Sequence, residues 1–299
     1  MKLHLECMPC YLRQILDSAK MVTDDKKLLE RILRESLKAA SEFDYDSIGL
    51  LTQAKMQKVI KKLLPEIDPY SEIKKKFNLV CLQLEEKLKT IIKDSYNPFE
   101  TSLRISIAGN IIDFGPKQTL SKKVILNAIK KAQHQNLDES KVKLLRENID
   151  KSEKILFIGD NAGEIVLDKI FIEELPKDKI FYVVRGGPAL NDSTIADAEM
   201  VGMTKIVRVI TTGLDMPAAI LPLCSKEFLN EYNKSDLIIA KGQGNYEALS
   251  DEDKNIFFLL KVKCPVIAES FNGKYKLGEI VVDRSFPNNK KEIIANVNC

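Results

Sequence analysis

From residue 150 onward the chain alternates short β-branched runs with helix-like segments, and few folds accommodate that rhythm. The runs fall at 154–158, 180–184, 206–210, 237–240, 265–268 and 279–282. They predict an α/β fold, a mostly parallel sheet of six strands flanked by helices. Before residue 95 the texture is different: apolar residues recur at three- and four-residue spacings over 22–40 and 52–64, punctuated by Pro65, Pro69 and Pro98, which predicts a helical bundle. Residues 104–108, followed by Gly109, Asn110 and then 111–114, read as a short strand and turn, and 121–150 reads as helix again. The expected organisation is an N-terminal all-helical domain over 1–100 and an α/β domain over 101–299. No fixed-period repeat or low-complexity tract interrupts it.

Composition narrows the functional classes. A chain of 299 residues with 44% apolar and 30% charged residues is ordinary for a globular protein. No apolar run approaches the ~20 residues a membrane span needs. The first twenty residues carry cysteines, Arg13 and Asp17 where a secretory signal needs an uninterrupted apolar core, so a cytoplasmic location is expected. A net charge of +3 from 46 basic and 43 acidic residues is too small to argue nucleic-acid binding. The basic runs at 74–76, 122–123 and 130–131 read as solvated lysine faces. Oligomeric state is not legible.

Six cysteines in such a chain imply no disulfide framework. Cys81, Cys224 and Cys264 lie in apolar stretches and read as small buried hydrophobes. The pair Cys7 and Cys10 is the exception. Zinc needs four ligands, and the neighbourhood offers only these two and His4, with no second Cys-x-x-Cys in the chain. A thioredoxin-like pair belongs at a strand end, whereas this one leads into the helical pattern Tyr11, Leu12, Ile15, Leu16. Packing, metal binding and redox chemistry stay open. Lying outside the βα loops, the pair is expected to be dispensable for catalysis.

In an open parallel sheet, ligands bind where the βα loops leave the carboxyl ends of the strands. The loop after 154–158 is GDNAGE (159–164), in which Gly159 and Gly163 permit a sharp turn and Asp160 and Asn161 offer hard oxygen donors; helix capping explains the same residues equally simply. After 180–184 come Asn191, Asp192 and, about one helical turn on, Asp197, whose carboxylate can point back toward the strand end. Three oxygen donors from two adjacent loops suit Mg²⁺ or Mn²⁺. After 237–240 comes KGQGNYE (241–247), where Lys241, the glycines Gly242 and Gly244, and Asn245 read either as a phosphate cradle or as a glycine-rich turn. It is not a Walker loop, and GDNAGE lacks the Gly-x-Gly-x-x-Gly of a dinucleotide site.

The segments GDNAGE at 159–164, NDSTIADA at 191–198 and KGQGNYE at 241–247, together with the N-terminal Cys-x-x-Cys, resemble the damage-control phosphatases, also called the domain of unknown function 89 family, in its stand-alone prokaryotic branch. The resemblance covers nearly the whole chain. It implies an N-terminal helical region, a Rossmann-like α/β domain, and hydrolysis of phosphate monoesters of sugars and small metabolites with a divalent cation (Mn²⁺, Mg²⁺, Ni²⁺ or Co²⁺). Carried onto this chain, it implies Asp160, Asn161 and Asp197 as metal ligands and Lys241 as the phosphate-binding lysine. Asp160, Lys241, Asp192 and Glu164 are then the catalytic candidates. Gly242, Gly244, Asn245, Asn110 and Asn191 join Lys241 as substrate-binding candidates, and Asp113 accompanies Asn110 at the expected turn. The alternatives are a nucleotide-binding protein using the same sheet edge and a non-catalytic metal-binding module.

Overall fold

In the computed structural model, residues 1–46, 48–64, 68–111 and 121–284 are described. Strands β1 (Ile155–Ile158), β2 (Ile180–Val184), β3 (Arg208–Thr211), β4 (Leu237–Lys241), β5 (Ile256–Lys261) and β6 (Ile280–Arg284) form one sheet. Their spatial order is β3-β2-β1-β4-β5-β6, with β1 to β5 parallel and β6 antiparallel to β5. The order reverses between β1 and β4, so the crevice beyond their carboxyl ends is where this architecture admits a ligand.

The crossovers carry α9 (Glu164–Glu173), α10 (Ile195–Met200), α11 (Lys226–Lys234), α12 (Gly242–Leu249) and α13 (Pro265–Ser270). Because side chains alternate along a strand, β1 feeds two cores. Ile155 and Phe157 join one with Tyr182 and the helices on that side, while Leu156 and Ile158 join another with Val183, Phe228 and Leu249. Every residue of β1 and β4 is buried, as expected of strands covered on both faces.

Ahead of the sheet come α1 (Cys7–Lys20), α2 (Lys26–Ser41), α3 (Gly49–Leu63), α4 (Ser71–Leu82), α5 (Glu85–Lys93), α6 (Pro98–Ile111), α7 (Lys122–His134) and α8 (Glu139–Lys151). Only α1 to α3 have a core of their own, built on Tyr11, Ile15, Ile32, Met56 and Ile60. Phe77, Cys81, Leu88 and Leu103 share the core of the sheet. The boundary expected at 100/101 therefore falls inside α6, and the cores divide earlier, between α3 and α4.

Two segments read as strand are helix. Residues 104–108 belong to α6, whose Leu103, Ile105, Ile107 and Ala108 are all fully buried. A helix covered on every side loses the amphipathic period by which helices are recognised. Residues 265–268 belong to α13, where Pro265 occupies the first turn and needs no hydrogen-bond partner for its missing N–H. The strand beside them is β5. Asn110 thus sits on a helix rather than in a turn, and Asp113 lies outside the described residues. Lys74 is not part of a solvated face either: it is buried on α4, 3.2 Å from Asp68 and 4.0 Å from Asp197.

Phe157 stacks on Tyr182 with ring centroids 5.4 Å apart and meets the edge of Phe171 at 6.4 Å. Phe157→Ala should lower the unfolding free energy by about 3–5 kcal/mol, read as a shift in the urea midpoint at unchanged slope.

Candidate active site

β1 ends at Ile158, and Gly159 to Gly163 carry the chain over the sheet's edge into α9. Two backbone hydrogen bonds tie this loop to the one after β2: Ser193 N–H donates to Asp160 C=O at 2.8 Å, and Ala162 N–H to Asn191 C=O at 2.9 Å. Gly163 has φ +73°, and a Cβ there would lie 1.9 Å from the Phe77 ring. Gly242, at φ +78°, opens α12 directly over Asp160, where a Cβ would stand 1.9 Å from Oδ2. Both positions demand glycine for conformation and for closeness. The loops after β1 and β4 therefore meet at the point where the strand order reverses.

Asp160 Oδ2 accepts from Asn110 Nδ2 and Asn161 Nδ2, each at 2.9 Å. The same amides lean on Glu164, at 3.5 Å from Asn110 and 3.0 Å from Asn161. Asp160 Oδ1 takes no hydrogen bond among the described residues; its nearest cationic neighbour is Arg185, at 3.9 Å. The Asn161 side-chain oxygen is also unengaged among the described residues. Burial, and then the Asp192 and Glu164 carboxylates, hold Asp160 well above the usual carboxylate range. Two hard oxygens without partners in a region of concentrated negative charge fit a divalent cation, and Asp160 with Asn161 would hold it.

The other expected residues divide. Asp192 lies beside this pair, bonded through Oδ2 to Arg185 Nε at 2.6 Å, and burial raises its carboxyl despite that partner. Asn191 lines the same cavity. Asp197 is occupied elsewhere: Oδ1 accepts from Asn78 at 2.7 Å, and Oδ2 closes a capping box with Thr194 N–H and Oγ1 at 2.9 and 2.8 Å. Asn78 connects it to the Asp160 loop by accepting from Gly163 N–H at 2.6 Å.

Lys241 does not face the cavity. Its ammonium is fully buried, 2.9 Å from Glu164 Oε1, donating to Ser106 Oγ and C=O at 2.8 and 3.0 Å and pairing closely with Asp168. Asn245 is also internal, donating to Gly159 C=O at 3.1 Å and Lys241 C=O at 2.7 Å and so fastening the two loops. Gly244 does line the cavity. Lys263, which the sequence reading missed as it missed Arg185, lines the cavity, and its charge bears on Asp160. Arg185 follows β2 directly and could have been found by the rule that led to Asp160. Ser102, Ser106 and Asn110, polar and buried at four-residue steps on an apolar helix, were the legible sign of a functional face on α6.

The cavity holds about 640 Å³ and runs from Asp160, Asn161 and Asp192 up to the helical unit, where Cys7, Cys10, Gln14 and Gln53 form its far wall. The cysteine pair therefore lies on the candidate site's own wall, although it is outside the βα loops. Several contacts seat the helical unit there, among them the Met1 amine, which donates to Glu247 C=O at 2.7 Å. Lys61 Nζ reaches Pro188 C=O and Asp215 C=O at 2.9 Å and Asp215 Oδ2 at 2.7 Å, and Leu50 and Ala54 pack on Leu214, Met216 and Ala218.

The family model of the damage-control phosphatase ARMT1-like domain matches residues 3–277. The chain belongs to that family. It is 34% identical over 290 residues to a damage-control phosphatase of Pyrococcus horikoshii, covering 95% of this chain and 99% of that one. A damage-control phosphatase of Archaeoglobus fulgidus is 33% identical over 275 residues, with 90% and 94% covered. An uncharacterized protein of Methanocaldococcus jannaschii is 37% identical over 281 residues, with 90% and 91% covered. The crystal structure of a DUF89 family protein from P. horikoshii superposes with a TM-score of 0.83 at 33% identity, over 96% of this chain and all of that one.

Two outcomes are expected. Lys241→Met leaves Glu164 and Asp168 buried without their cation and should cost about 3–5 kcal/mol in denaturant unfolding, with Asp168→Asn in the same chain recovering part of the loss. Because the folded chain holds the Asp160 proton above the unfolded chain's pKa, Asp160 withdraws stability as pH rises through that interval. In the presence of a chelator, Asp160→Asn should match the wild-type unfolding midpoint at a pH below the ordinary carboxylate range and exceed it at neutral pH.

Proposed function

We propose that this chain is a cytoplasmic, metal-dependent phosphatase acting on phosphate monoesters of small metabolites. The observation that carries the reading is the pair of unengaged oxygens, Asp160 Oδ1 and Asn161 Oδ1, at the strand-order reversal of a damage-control phosphatase fold. The relatives named damage-control phosphatases support the reaction. Among the described residues no helix is long and apolar enough to cross a membrane.

Asp160 and Asn161 would hold a divalent cation, which would supply Lewis acidity toward a phosphoryl oxygen. The resemblance adds Asp197 as third ligand; Asp192 is the carboxylate that bears most strongly on Asp160. The chain's own part is positioning and charge. The first turn of α12 presents backbone N–H groups where Gly244 lines the cavity, a favourable seat for phosphate. Lys263 adds positive charge beside Asp160. Arg185 steadies Asp192 Oδ2, leaving Oδ1 to orient an attacking water toward the phosphorus opposite the leaving alkoxide. Lys241 contributes indirectly, by neutralising Glu164, which in turn holds both amides that orient Asp160.

Para-nitrophenyl phosphate turnover with Mn²⁺ or Mg²⁺ should vanish with chelator and in Asp160→Ala. Asp197→Ala should regain turnover at high metal concentration if Asp197 is a ligand, whereas Asp192→Ala should lose kcat at saturating metal. Lys263→Ala should lose roughly ten- to a hundredfold in kcat/KM, the scale of a charged hydrogen bond. Full activity in Asp160→Ala, or none in the wild type with any divalent cation, would sink the proposal.

A further inference from the structure

Cys7 and Cys10 stand three residues apart at the start of α1 and so lie on one face of it. The nearby sequence supplies no third thiol and only His4 as a further candidate, but the fold brings another thiol. Cys264, at the N-cap of α13, lines the same end of the cavity, as does Glu247 of α12. A single amide joins those two: Gln243 Nε2 donates to Cys264 Sγ at 3.4 Å and to Glu247 Oε1 at 3.3 Å. Both lie close enough to α1 to couple electrostatically to Cys7 and Cys10. In the same wall the Tyr11 hydroxyl is buried beside the Cys7 thiol. None of the three thiols is in a disulfide.

We propose that Cys7, Cys10 and Cys264, with Glu247 as fourth ligand, bind a thiophilic divalent cation of the zinc type. Three sulfurs and one carboxylate make a soft, tetrahedral donor set, chemically separate from the hard oxygens of Asp160 and Asn161. Among the described residues no three such donors already stand at ligand spacing. The cation therefore closes the site by drawing the thiols of α1 onto the α12–α13 edge. Closure fastens the helical unit to the sheet unit along the far wall of the cavity.

The test uses the full chain, reduced and stripped with chelator, with Co²⁺ as the probe. Co²⁺ on sulfur gives intense near-ultraviolet charge-transfer absorption and the visible bands of a tetrahedral ion, and Co²⁺ on oxygen gives neither. The expected result is one equivalent with both features, displaced by Zn²⁺. Zn²⁺ should also protect Cys7, Cys10 and Cys264 from a thiol reagent, with the modified positions mapped by mass spectrometry. Cys264→Ser should diminish the charge-transfer band and weaken Zn²⁺ binding at least about tenfold while keeping the wild-type circular dichroism spectrum. If that variant misfolds, Cys7→Ser with Cys10→Ser makes the same reading. The proposal is overturned by an absent charge-transfer band, by an unchanged band in a folded Cys264→Ser protein, by equal thiol reactivity with and without Zn²⁺, or by a disulfide among these cysteines in the freshly purified chain.

Discussion

A fully buried ammonium, that of Lys241, sits between two carboxylates of one helix, and the geometry of the candidate site descends from that pairing. Removing such charges from water is costly unless they neutralise one another and fill their remaining hydrogen-bond capacity. Here Lys241 arrives from β4, Glu164 and Asp168 from α9, and Ser106 from α6, while Tyr182 of β2 donates to the far oxygen of Asp168 at 2.9 Å. Four elements are thereby fixed in register beneath the sheet's edge. The effect passes upward: Glu164 orients the amides of Asn161 and Asn110, and these occupy one oxygen of Asp160 and leave the other open to the cavity.

The cavity itself is a product of two units. The sheet contributes the oxygen-rich floor and the helical unit contributes the far wall. Among the described residues, what joins them includes a lysine on two carbonyls and a carboxylate, the Met1 amine on Glu247 C=O, and a patch of aliphatic side chains. A seam of that kind, more polar than a domain core, suits a site that must admit and release a small ligand. It also explains why the strand-end loops and the Cys-x-x-Cys face one cavity although about 150 residues separate them in the chain.

Much of this was legible before any coordinates. The alternation after residue 150 announced a parallel sheet, and loops at strand ends are where such sheets hold chemistry, so Asp160, Asn161 and Asp192 could be found by position alone. The failures have specific causes. The all-round burial of α6 erased its period, and the β-branched residues of α13 mimicked a strand. Lys74 and Lys241 were assigned to solvent and to ligand because lysine is usually found there; each has a carboxylate neighbour supplied from elsewhere in the fold, Asp197 for Lys74 and Asp168 for Lys241.

The sequence by itself determined the sheet, the placing of oxygen-bearing loops at its edge, and the glycines that let those loops touch, because all three follow from local periodicity and backbone conformation. Only the tertiary structure decided which side chains turn toward the cavity and which turn inward. A long polar side chain goes where distant elements leave room, hydrogen bonds and opposite charge. Lys241 is therefore internal, Lys263 lines the cavity, and Cys264 lines the same cavity as a pair of thiols from the other end of the chain.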